Sequence, residues 1–123
     1  MSDIKRVGVV GAGVMGAGIA EVCARAGLDV VVREISDDAA AVGRARITGS
    51  LNRGLMAGKL TDEEHQAALG RLTVTADLND LADCDLVIDA ATENPDVKAT
   101  LFADIDRTVT RPDAILATRS SAW

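Results

Sequence analysis

The 123-residue chain contains no tyrosine, one phenylalanine and one tryptophan, so aromatics make up only 2% of it. Its formal net charge is −6. A nucleic-acid module needs a basic face for phosphates and flat rings on which bases stack. Both are missing, and nucleic acid is excluded as an expected partner. Long apolar runs are missing too. Stretches such as Val7 to Val14 and Leu86 to Ala91 fall far short of the roughly 20 residues of a membrane-spanning helix, so no membrane partner is expected. Met1 to Arg6 leads straight into a strand-like run without a hydrophobic signal region, which makes the cytoplasm the expected location.

Metal-ligating side chains are equally sparse. Cys23 and Cys84 lie 61 positions apart with no second cysteine or histidine near either. They read as buried thiols, not as a disulfide or half a metal site. The sole histidine, His65, follows Asp62-Glu63-Glu64 and reads as exposed on a charged helix face. No metal is expected.

What remains is an ordinary globular composition, 48% apolar and 26% charged, long enough for one core and too short for two. No internal repeat, low-complexity tract or linker interrupts it. Strand and helix signals alternate. Arg6 to Val10 is a β-branched run that ends on glycine, and Val14 to Gly27 has helical spacing, with Ile19, Val22 and Cys23 on one face. Leu28 to Val32 is a second buried strand, which completes a βαβ unit of about 30 residues. Ser36 caps a further helix with Asp37 and Asp38 in its first turn and a stripe of Ile47, Leu51 and Leu55. Gly43, Gly49, Gly54 and Gly58 weaken that helix. Thr61 to Glu64 is a capping box that opens another helix, which stops near Gly70. Leu72 to Thr75 and Leu86 to Ala91 are strands; Asn94-Pro95 starts a helix with Leu101, Phe102 and Ile105 on its apolar face. A turn at Arg111-Pro112-Asp113 leads to a fifth strand, Ala114 to Thr118. The expected class is α/β: a doubly wound parallel-sheet Rossmann fold with a two-helix insertion between strands 2 and 3, truncated at its C-terminus.

The segment Gly11-Ala12-Gly13-Val14-Met15-Gly16 fits the G-x-G-x-x-G pattern. In such a loop the first glycine permits a tight turn, the second lets a pyrophosphate approach the backbone, and the third lets the helix pack against the strand. The helix N-terminus offers free N–H groups and partial positive charge. With 11 glycines in the chain the pattern alone is weak; its place between a strand and a helix makes it specific. Glu34, 18 residues after Gly16 and at the end of the second strand, has the spacing of the carboxylate that accepts the adenosine ribose hydroxyls. A carboxylate there repels a 2′-phosphate and favours NAD over NADP. Arg33 could accept such a phosphate, but strand alternation turns it away from Glu34 and towards solvent. An FAD-binding half-domain shares the same loop.

The string Val7-Gly-Val-Val-Gly-Ala-Gly-Val-Met-Gly-Ala-Gly-Ile-Ala20 resembles the start of the 3-hydroxyacyl-CoA dehydrogenase family. The likeness resumes at Leu86-Val-Ile-Asp-Ala-Ala-Thr-Glu-Asn-Pro-Asp-Val-Lys98, then at Leu101-Phe102 and Asp106, and is strongest to the 3-hydroxybutyryl-CoA type. It covers essentially this whole chain but only the family's N-terminal part. The resemblance implies NAD as cofactor, with Glu93 and Lys98 beside its nicotinamide, and interconversion of 3-hydroxyacyl-CoA and 3-oxoacyl-CoA in fatty-acid metabolism by a homo-oligomer. Ser121 falls on the family's cofactor-contacting serine, although Arg119 stands where the family has asparagine. The family's catalytic histidine, oriented by a glutamate, comes from later sequence, as does the helical domain that dimerises and closes over acyl-CoA. Residues 1–123 are therefore expected to form an incomplete NAD-binding domain without catalytic residues, binding NAD without turnover. The alternative is a non-catalytic dinucleotide-binding module.

Overall fold

The computed structural model describes residues 4–90, 95–109 and 114–118. Strand β1 (Arg6–Val10) leads to helix α1 (Val14–Arg25) and strand β2 (Asp29–Arg33). Helices α2 (Asp37–Met56) and α3 (Asp62–Arg71) follow, then β3 (Leu72–Thr75), a 3₁₀ turn at Leu78–Leu81, β4 (Leu86–Asp89), α4 (Pro95–Thr108) and β5 (Ile115–Thr118). The expected elements are all present, with ends shifted by one or two residues. The 3₁₀ turn is an addition.

The five strands among the described residues run parallel in the order β3-β2-β1-β4-β5. β1 is central: Val9 lies opposite Val32 on one side and Ile88 on the other. The chain winds outward from β1 to β3, then crosses back to β4. The strand order thus reverses at the carboxyl end of β1, the place where open α/β sheets form a crevice.

Side-chain alternation sorts the valines into two cores. Val7, Val9, Val30 and Val32 meet Ala17, Ala20, Ala24, Ile47, Leu51 and Ala68 from α1, α2 and α3. Val10, Val31 and Val87 meet Leu81, Cys84 and Ile105 on the opposite face. A Cβ on Gly8 would come within 2.7 Å of Leu81, so that bare position seats the 3₁₀ turn on the sheet.

Three expectations about helix faces are corrected. α1 buries Gly16, Ala17, Ala20 and Ala24, whereas Val22 is 67% exposed and Ile19 and Cys23 only flank the core. The small side chains let the helix axis approach the sheet closely, and larger residues at its flanks have less apolar surface to reach. In α2 the buried stripe is Ala40, Gly43, Ile47 and Leu51, with Leu55 only half-buried. Its glycines do not stop it: each weakens a helix by about 1 kcal/mol, while full burial of Ile47 and Leu51 contributes about 1.5–3 kcal/mol each. Ser36 also accepts a bond from Ala39 N–H at 3.1 Å. Gly58, at φ 75°, follows the helix in the left-handed region that glycine tolerates. His65 is half-buried, not exposed, and bonds Asn52 Oδ1 at 2.7 Å, tying α3 to α2.

Candidate NAD-binding site

The glycine loop sits at the reversal point of the sheet. Gly11 takes φ 96°, which an L side chain rarely adopts, and its N–H donates to the Arg33 carbonyl at 2.9 Å. A Cβ on Gly16 would overlap the Gly11 carbonyl oxygen, so α1 can start where it does only with glycine there. Gly13 is different. Its φ of −68° is ordinary, and among the described residues a Cβ would meet nothing within 4 Å. The chain itself requires the first and third glycines. The second borders open space in front of the helix.

That helix end has no cap of its own. α1 has no side-chain cap bond and no acidic residue in its first turn. α2 is capped by Ser36 and carries Asp37 and Asp38, and α3 has a full Thr61–Glu64 capping box plus Asp62 and Glu63. The first amides of a helix have no intrahelical acceptor and concentrate roughly half a positive charge. At α1 no side chain of the first turn offsets it, and Val14 is 84% exposed.

Glu34 lies just beyond β2 and reaches back to the loop. Its Oε2 accepts the Ala12 N–H at 2.6 Å, and Oε1 accepts the Ile35 N–H at 3.2 Å. The other end of Ala12 is held from α2, where Arg46 Nη1 donates to the Ala12 carbonyl at 2.6 Å. Ala12 is 1% exposed, and a Cβ on Gly43 would overlap its methyl group. The glycine that weakens α2 on propensity is what lets α2 lie against the loop. Arg33 corrects another expectation: it is half-buried, and its Nε is out of water without a hydrogen-bond partner.

A cleft of about 310 Å³ opens beside the helix start, lined by Val14, Gly18, Arg46, Ser50 and Arg53 among others. A larger depression of about 570 Å³ lies at the opposite end of α1, between Arg25, Leu60, Glu63 and Arg71. It is remote from the first amides of α1, whereas the smaller cleft adjoins the loop through Val14 and Arg46. Among the described residues no group of three or more His, Cys, Asp or Glu could hold a metal. No described helix is long and apolar enough to cross a membrane. Burial pushes the Cys84 thiol up to about 11, and Cys23 is also raised by burial; both cysteines are free.

The sequence model described as "3-hydroxyacyl-CoA dehydrogenase, NAD binding domain" matches residues 6–123. The chain belongs to this NAD-binding domain family. Relatives include a 3-hydroxybutyryl-CoA dehydrogenase of Mycobacterium tuberculosis, 56% identical over an alignment that covers 99% of this chain and 43% of the relative. Another, from Bradyrhizobium diazoefficiens, is 45% identical over 97% of this chain and 40% of its own. Among solved structures, M. tuberculosis FadB2 superposes with a TM-score of 0.95 at 54% identity, covering 99% of this chain and 43% of that one. (S)-3-hydroxybutyryl-CoA dehydrogenase from Ralstonia eutropha gives 0.92 at 42% identity, over 98% and 42%. The chain thus spans less than half the length of these relatives.

As an NAD-binding domain of 3-hydroxyacyl-CoA dehydrogenase type, the chain takes NAD as its cofactor, and the residues around the loop suit it. The open face of Gly13 leaves room for the pyrophosphate, and the uncapped amides carry the charge to meet it. Lys98 lies in the first turns of α4, and its side chain lies outside the description. Glu93, Ser121, the Asn94 cap, the Arg111-Pro112-Asp113 turn, Arg119 and Trp123 lie outside the described residues. Arg46 and Gly43 are the site residues that sequence reading missed. Their helical spacing three apart was visible, but nothing local ties position 46 to position 12.

Proposed function

We propose that Gly11, Ala12, Gly13, Val14, Met15 and Gly16 form the cradle for the pyrophosphate of NAD, and that Glu34 accepts the adenosine ribose hydroxyls. The observation that carries this reading is the bare Gly13 over open space at an uncapped helix N-terminus, with a carboxylate hydrogen-bonded to the same loop. Each Glu34 oxygen takes one backbone N–H, and a carboxylate oxygen has capacity for a second donor. Its negative charge disfavours a 2′-phosphate, which supports NAD over NADP.

The same reading extends to the residues that the family resemblance marks. Glu93 and Lys98 are assigned to the nicotinamide side, past the carboxyl end of β4 where such sheets bind ligands, and Ser121 to a further cofactor contact. NAD, when bound, supplies the hydride-accepting ring for oxidation of a 3-hydroxyacyl-CoA to its 3-oxoacyl form in fatty-acid metabolism. The hydroxyl proton must leave to a base of matched pKa. His65, engaged with Asn52 across the insertion, is not placed for that task. Residues 1–123 thus correspond to the cofactor part of a homo-oligomeric dehydrogenase, and the substrate base is assigned to the portion of the family beyond the matched region. The cytoplasm fits the two free thiols.

Calorimetric titration of the chain with NADH, NADPH and FAD tests the cofactor. Binding of NADH in preference to the other two is expected, and no heat at millimolar NADH would overturn the reading. An acetoacetyl-CoA assay with NADH tests the assignment of the base, since clear turnover by residues 1–123 would place a base among them.

A further inference from the structure

We propose that Arg46 is a positioning residue for the pyrophosphate, acting through the Ala12–Gly13 peptide; this rests on the NAD reading of the loop. The guanidinium donates to the Ala12 carbonyl at 2.6 Å. That carbonyl and the Gly13 N–H belong to one peptide unit. No described peptide bond is cis, so the unit is planar and trans, and its C=O and N–H point in opposite directions. Anchoring the carbonyl towards α2 therefore aims the Gly13 N–H away from α2. No described residue accepts that N–H, and the space over Gly13 is open.

The anchor matters because this is the peptide in the loop most free to turn over. Its orientation is set by ψ of Ala12 and φ of Gly13, and glycine offers almost no steric resistance to a change in φ. The neighbouring polar groups are already held. Gly11 N–H is bound to the Arg33 carbonyl, Ala12 N–H to Glu34, and the Gly13 carbonyl to Ala17 N–H at 2.8 Å. The Ala12 carbonyl is the remaining handle, and Arg46 holds it. A turned peptide would present the carbonyl oxygen to an anionic ligand in place of an N–H. The fork of the guanidinium also leaves donors beside the loop, in a cleft that Arg46 lines with Val14, Gly18, Glu21 and Arg53.

The test compares the full chain with R46A and R46K, titrated with NADH and separately with adenosine, which carries no phosphate. Loss of a hydrogen bond from a charged donor predicts NADH binding weaker on the order of tenfold in R46A. Adenosine affinity should stay within about twofold, because the base and ribose do not rest on this peptide. R46K, which still donates to a carbonyl, should recover most of the NADH affinity. Equal NADH affinity in R46A and the parent would overturn the proposal. So would equal losses for NADH and adenosine, which would mark Arg46 as merely structural. Failure of the parent chain itself to bind NADH would instead overturn the loop reading, and the proposal with it.

Discussion

Glu34 and Arg46 hold the two polar ends of one buried residue: the carboxylate takes the Ala12 N–H and the guanidinium takes the Ala12 carbonyl, each at 2.6 Å. They come from different elements, the end of β2 and the second turn-pair of α2, and approach the loop from outside it. The glycine loop is therefore clasped before any ligand arrives, so less ordering is left to oppose binding.

The three glycines of the loop should separate under substitution. Gly13→Ala adds a methyl group that meets no atom of the described residues at an ordinary φ, so its urea midpoint should stay close to the parent's while NADH affinity falls at least about tenfold through contact with the pyrophosphate. Gly16→Ala drives the methyl into the Gly11 carbonyl oxygen and should lower stability itself, by about 1–3 kcal/mol. Equal stability losses in the two variants would refute the distinction.

Glu34 serves the loop as well as the ribose. Glu34→Ala should destabilise the fold by about 1–2 kcal/mol, since a bond to a charged, half-buried acceptor is lost, and should weaken NADH binding too. Glu34→Gln keeps an acceptor for the Ala12 N–H and should unfold near the parent's urea midpoint. Denaturation curves of the two variants check this ordering.

Gly43→Ala reverses the usual effect of that substitution in a helix. Propensity alone would favour alanine by up to about 1 kcal/mol. Here the new methyl overlaps that of Ala12, which has no rotamer by which to yield, and overpacking of this kind typically opposes folding by about 1–3 kcal/mol. A lower midpoint in chemical denaturation is expected; a higher one would show that α2 can shift freely away from the loop.

The two thiols should differ in reactivity. Cys84 is fully buried and its pKa is raised from 9.0 to about 11, chiefly by desolvation. Cys23 is half-buried, and burial raises its pKa as well. At pH 8 a disulfide reagent should modify Cys23 first and Cys84 only on unfolding, because the thiolate is the attacking species. Burial favours the neutral thiol of Cys84. Its contribution to stability is therefore complete below the ordinary value of 9.0 and is lost as pH rises towards about 11. Equal labelling rates in the native protein would contradict the burial of Cys84.

The order of elements, the glycine loop and the caps at Ser36 and Thr61 could be read along the chain because each depends on a few adjacent residues. A turn with positive φ, a cap three positions before its N–H partner and a β-branched run are local constraints, and the parallel order of the strands follows from the crossovers that join them. The position of Glu34 was equally legible, since a βαβ unit has a nearly constant length. Which side of each helix is buried was not local. In α1 the apolar pattern pointed to Val22, yet the close approach permitted by Ala17, Ala20 and Ala24 left Val22 in water. Gly43 read as a weak point of α2 and is instead its point of contact with Ala12. Arg46 carried no signal at all: a charged residue on a helix is ordinarily a solvated one. Its grip on a carbonyl 34 positions earlier exists only because α2 packs across the start of α1, and distance between residues remote in sequence is set by packing, not by spacing.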